Sequence, residues 1–227
     1  MRRMGFLYTP LSLWIAFGGW MVAACVLVLA GWGNPFKRLH DAPRQHVWLA
    51  VVVAMSVLWA GNAWLDDGTV IHLLGATLLV TLFGWPLALI GMAAITGLAA
   101  IAFEASWQGV GLTFLIFGGV PVGASAILQR ACLAWLPRNP LIFIITQGFV
   151  SPACASIVTS IAALAVHVVL VAKPLTAAPA GYALSTLLLA SGEAWFTGIA
   201  TALIITYRPA WITTYDARRY RLGKPPL

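Results

Sequence analysis

Apolar runs long enough to cross a bilayer follow one another almost without pause along this chain, and polar residues are largely confined to the joints between them. A helix needs about 20 apolar residues to match the hydrocarbon thickness, and inside lipid it satisfies its own backbone hydrogen bonds. The runs cover Leu11 to Trp32, Val47 to Leu65, Ile71 to Gly84, Leu87 to Phe103, Gly111 to Leu136, Leu141 to Ala172 and Tyr182 to Tyr207. They predict an all-α polytopic integral membrane bundle of about seven transmembrane helices, with residues 1–227 forming a single domain. Only 8% of the residues are charged, against about 25% in soluble domains, so water is not the main solvent of this chain.

Trp85-Pro86 divides the apolar stretch from Ile71 to Phe103. Proline lacks an N–H and restricts the residue before it, so this stretch reads as a hairpin with two short arms held within the bundle. Pro121 and Pro152 fall inside spans and read as kinks. Gly119 and Gly123, four apart among other small residues, predict a close helix contact.

Charge fixes the expected orientation. With the N-terminus outside, the inner loops and tail hold Lys37, Arg38, Arg44, Arg130, Arg138, Arg208, Arg218, Arg219, Arg221 and Lys224. Arg2, Arg3 and Lys173 are left outside, so the positive-inside rule favours N-out and C-in. These cations suit topology and lipid headgroups, and nucleic acid is not an expected partner. Cys25, Cys132 and Cys154 lie in separate runs without metal-binding or redox spacing, and read as small packing residues. Val22-Ala23-Ala24-Cys25 resembles a lipoprotein cleavage box, but the apolar run continues to Trp32, as it does not in a cleavable signal.

Ionisable groups within spans are costly and face the bundle interior or a wet cavity. Glu193 lies mid-way along the last run and shares a helical face with Thr186, Ala190, Thr197 and Thr201. It reads either as a hydrogen-bonded structural carboxyl or as a functional group. His72 begins the third run just after Asp66, Asp67 and Gly68, while His167 falls toward the outer end of the sixth, on a face with Ser156, Ser160 and Ala163. In the expected topology the N-terminal amine, Asp66, Asp67, His72 and His167 all lie toward the outer face. Amine, imidazole and carboxylate together suit a borderline transition metal better than magnesium or calcium.

The segment Gly68-Thr69-Val70-Ile71-His72-Leu73-Leu74-Gly75-Ala76 resembles the Gly-Thr-Ser-x-His-Leu-Leu-Gly-Gly segment of the CbiM/NikM family. These are the cobalt/nickel-binding membrane subunits of energy-coupling factor (ECF) ABC transporters. Phe83-Gly84-Trp85-Pro86 is similar to the family's Leu-Gly-Pro-Trp hairpin, Ser191-Gly192-Glu193-Ala194-Trp195-Phe196-Thr197 to its Gly-Glu-(Ala/Gly)-Leu-Ile-Thr helix, and Met4-Gly5-Phe6-Leu7 to its acidic-Gly-Phe-Leu start. Tyr207-Arg208-Pro209 and Trp211, with the basic tail, resemble a divergent proteobacterial branch.

The resemblance implies a bundle of about seven helices with an outward pocket for Ni(II) or Co(II). It implies the amine of Met1 and the imidazole of His72 as ligands; the expected topology, and not the resemblance, adds His167 as a substitute imidazole and Asp67 or Asp66 to attract the cation, with Glu193 supporting the bundle or tuning the pocket. The chain departs from the family at Arg2, where the family has a ligand His, and at Thr113 and Ala99, where it has Asn and Gln. The fold inference survives these changes, while selectivity for nickel or cobalt does not follow from it.

The expected function is a substrate-binding permease subunit in the bacterial inner membrane that takes up a transition-metal cation. Its expected partners are a coupling ATPase, a transmembrane coupling subunit and the lipid bilayer. No Gly-x-x-x-x-Gly-Lys-Ser/Thr loop occurs, so ATP hydrolysis is assigned to a partner, and no catalytic motif marks the chain as an enzyme. Loss of the second-position His favours one rival, a non-transporting accessory or assembly factor with the same fold and an altered metal site.

Overall fold

The computed structural model describes Leu7 and residues 11–61, 63–64, 70–171 and 179–215. Seven helical rods account for most of them: α1 (Leu13–Trp32), α2 (Ala42–Ala60), α3 (Ala76–Phe83), α4 (Trp85–Ala102), α5 (Trp107–Trp135), α6 (Pro140–Val169) and α7 (Pro179–Tyr207). Five of these, α1 and α4 to α7, are long and apolar enough to cross a membrane. A two-residue antiparallel pairing, Ala63–Trp64 against Val70–Ile71, joins α2 to the segment before α3.

Their surface shows what solvates them. On α1 the large residues Trp14, Phe17, Val28 and Trp32 are exposed, while the inward face is Ala16, Gly19, Ala23 and Ala30. Small residues inward and large ones outward are what lipid-facing helices require, because packing between helices in lipid depends on close backbone approach. At Gly111 of α5 an added Cβ would lie 2.9 Å from the Trp20 nitrogen of α1, so this crossing tolerates no side chain. The expected contact at Gly119 and Gly123 does not form: a Cβ at Gly123 would meet nothing within 4 Å, and one at Gly119 only a carbonyl of its own helix. Their face of α5 points away from the tight crossings.

The hairpin at Trp85-Pro86 is unequal. Gly84, at φ +81°, ends α3, and α4 restarts at once with Pro86 in its first turn, where no N–H is needed. Contrary to the expectation of two short arms, α4 has 18 residues and spans, whereas α3 has only eight. At 1.5 Å per residue α3 is roughly 12 Å long and cannot cross alone. All eight of its residues are buried, and it packs against α4, α5, α6 and α7. It is the axle of the bundle.

The helices run on through Pro121 and Pro152. Each proline follows a π-helical turn, Leu115–Gly119 in α5 and Ile144–Val150 in α6. The wider turn takes up the missing N–H and the ring's clash with the preceding carbonyls. A third π turn, His167–Val171, closes the α6 rod.

Candidate functional site

The site is built on α3 and the non-helical residues 72–75 that lead into it. A helix begins with N–H groups that lack intrahelical partners, and here the N-cap residue is Gly75, at φ +66°, which has no side chain to meet them. Glu193 of α7 supplies the missing acceptor. Its Oε1 accepts from the Leu74 and Gly75 amides, the latter at 3.2 Å, and the carboxyl is buried. A carboxyl oxygen here also faces the positive end of the α3 dipole. The carbonyl of Leu74 is taken by the indole N–H of Trp59, at 3.1 Å, from α2.

This turn fixes His72. The imidazole is buried, with its ring centroid 4.9 Å from that of Trp59 and 5.7 Å from that of Phe117, which the π turn of α5 presents. Its Nδ1 lies 3.5 Å from the Leu73 carbonyl, and its Nε2 makes no hydrogen bond to a described residue. Trp59 is therefore used twice, holding the backbone through its N–H and packing its tilted ring against the imidazole.

The far end of α3 is closed as completely. Gly84 N donates to Val80 O at 2.8 Å, Thr214 Oγ1 to Thr81 O, Thr213 N and Oγ1 to Leu82 O at 2.7 and 2.8 Å, and Arg38 Nη1 to Phe83 O at 3.4 Å. All four final carbonyls are thereby satisfied. Around the shaft, Thr77 Oγ1 pairs with Ser125 Oγ at 2.7 Å. Thr81, Ser151, Ser156, Thr197 and Thr201 bury side-chain oxygens without partners among the described residues, forming a polar seam between α3, α6 and α7.

Of the residues expected from the sequence, the structure brings His72 and Glu193 to one turn of backbone, joined through the Leu74 and Gly75 amides. Met1, Asp66 and Asp67 lie outside the described residues. His167 is half-buried in the last π turn of α6. Tyr182 OH bonds to Ser160 O at 2.5 Å, and Gly198 abuts Gly148, so α6 and α7 run antiparallel with Glu193 level with the start of the Ser151–Val166 stretch. His167 then stands roughly 20 Å farther along the axis at 1.5 Å per residue. Among the described residues no three His, Cys, Asp or Glu side chains form a metal-binding cluster.

Trp59, Phe117, Arg38, Thr213 and Thr214 are structural participants that sequence reasoning missed. Trp59 alone carried a signal, an aromatic residue two positions before the helix-ending Gly61.

The family described as CbiM, cobalt uptake substrate-specific transmembrane region, matches residues 9–211. The chain belongs to this family. It is thus a multi-pass membrane protein, in keeping with its five long apolar helices. The structure is also similar to a crystal structure of a transition metal transporter, with a TM-score of 0.69 and 18% identity over 91% of this chain and 93% of that one. A truncated form of such a transporter gives the same TM-score and identity, over 88% of this chain and 99% of that one. At this identity the likeness concerns the fold. No curated protein matches the chain.

Proposed function

We propose that the chain is the substrate-binding membrane subunit of an ECF-type uptake system for a transition-metal cation of the cobalt/nickel class. The observation that carries this reading is His72, a buried imidazole clamped between two aromatic rings on a turn whose amides are held by Glu193, in a member of a cobalt-uptake family. Neutral imidazole nitrogen is a good ligand for Ni(II) and Co(II), and an imidazole fixed by its surroundings suits a selective site.

In this reading the Met1 amine joins His72 as a ligand, Asp67 or Asp66 attracts the cation, and His167 serves as an imidazole nearer the outer mouth. The chain lies N-out and C-in in the bacterial inner membrane, since Arg38, Arg44 and Arg130 gather at one end of the bundle. ATP hydrolysis belongs to a partner ATPase, coupled through a second membrane subunit, and no catalytic step is assigned to this chain.

The test is metal content by mass spectrometry after challenge with Ni, Co, Cu and Zn, comparing wild type with His72→Ala and His167→Ala. Near-stoichiometric metal that disappears in His72→Ala is the expected result, and absence of metal in every variant sinks the reading. The rival, a non-transporting accessory factor, is favoured by Arg2 at the family's ligand position. It predicts a stable, metal-free protein that copurifies with no ATPase.

A further inference from the structure

At the basic end of the bundle a cleft of about 600 Å³ opens beneath α3, and three guanidinium groups line it from separate elements. Arg38 comes from the short 3-10 turn after α1, Arg44 from the start of α2 and Arg130 from α5. Among the described residues no carboxylate lines this cleft. Asp41, beside it, is engaged by His40 at 2.9 Å and by Arg44 at 3.8 Å. Arg130 has no ion-pair partner among the described residues, and Arg38 spends one N–H on the Phe83 carbonyl. Gln129 also lines the cleft, nine-tenths buried, with an Nε2 that meets no acceptor among the described residues.

Three guanidinium forks and the amide donor of Gln129 together suit an anion with several oxygens. Guanidinium pairs with phosphate bidentately, at roughly twice the strength of a neutral hydrogen bond. The level of the cleft names the source. Trp135 and Tyr207, at the ends of α5 and α7, and Trp211 beyond them are exposed, as aromatic residues are where a helix leaves the hydrocarbon for the headgroup region. Basic pockets between helices at that depth on the cytoplasmic side suit anionic headgroups.

We propose that this cleft binds the headgroup phosphate of an anionic phospholipid, held by Arg38, Arg44, Arg130 and the Gln129 amide. The bound phosphate lies directly under the C-terminal end of α3, whose last carbonyl Arg38 also holds. The proposal does not depend on the metal reading.

The full chain, delipidated in a neutral detergent, is titrated with phosphatidic acid and with phosphatidylcholine, and bound lipid is read by native mass spectrometry. One phosphatidic acid per chain and no comparable phosphatidylcholine binding are expected, with affinity falling about tenfold in Arg130→Gln and in Arg44→Gln. Arg208→Gln, which removes the same charge outside the cleft, leaves binding unchanged. Equal loss in Arg208→Gln and Arg130→Gln would overturn the site, reducing the effect to bulk charge. Displacement of the lipid by millimolar inorganic phosphate overturns the lipid as the source. Arg130 is exposed, so its substitution spares the fold.

Discussion

The two ends of α3 are closed by opposite chemistry. At the first, one buried carboxyl from α7 serves two amides beside His72, with an indole on the adjoining carbonyl. At the second, two threonines from the segment after α7 and an arginine from the α1–α2 joint share three carbonyls next to an open cleft. The closed end concentrates its hydrogen bonds on one irreplaceable group, whereas the open end distributes them over several. Unsatisfied polar groups cost most where water cannot replace the lost partner, so substitutions should hurt in proportion to burial and concentration.

Glu193→Ala is the strongest test, because it strips both amides of their acceptor at a buried position. Loss of about 3 kcal/mol of stability is expected, together with loss of metal binding, read by thermal unfolding in detergent and by metal content. Glu193→Gln retains one carbonyl oxygen as acceptor and should cost about half as much. Equal, mild effects of the two would break the contrast between the ends.

Trp59→Phe comes next. It keeps a ring against His72 but leaves the Leu74 carbonyl unpaired, at a cost of about 1–2 kcal/mol. Metal affinity should fall more than stability, since the imidazole loses its fixed setting.

Thr213→Val sharpens the comparison from the open side. It removes one of two bonds to the Leu82 carbonyl, the backbone N–H remaining, for about 1 kcal/mol or less. Metal affinity at the proposed His72 site, at the other end of the axle, should not change. A large drop in affinity would show that the two ends are coupled more tightly than their separate caps imply. Arg38→Gln is the mildest, about 0.5 kcal/mol, because water at the exposed cleft can replace its bond to Phe83.

Hydropathy read the spans well, because lipid imposes one simple requirement on every residue facing it. The seven runs fall on the seven rods within a few residues, and Trp85-Pro86 breaks the chain where Gly84 turns it. The unequal hairpin was not legible, since Ile71 to Gly84 is largely apolar while residues 72–75 are non-helical. Their conformation is fixed by Glu193, about 120 residues away, and sequence spacing carries no trace of such a partner. Small residues at i and i+4 misled in α5 for a related reason: the spacing marks a face that can approach closely, and only the neighbouring helices decide which face does. Glu193 and His72 stood out because ionisable groups inside spans are rare. Thr213 and Thr214 look like ordinary loop residues until α3 is seen to end above them.

The caps of α3 also impose an order of assembly. Its residues emerge from the ribosome well before Glu193, Thr213 and Thr214, which lie more than 100 residues further along the chain. Until then the central helix waits in the membrane with bare amides at one end and bare carbonyls at the other. A nascent chain halted before α7 would hold an unfinished centre, recognisable to quality-control proteases as polar backbone left inside lipid.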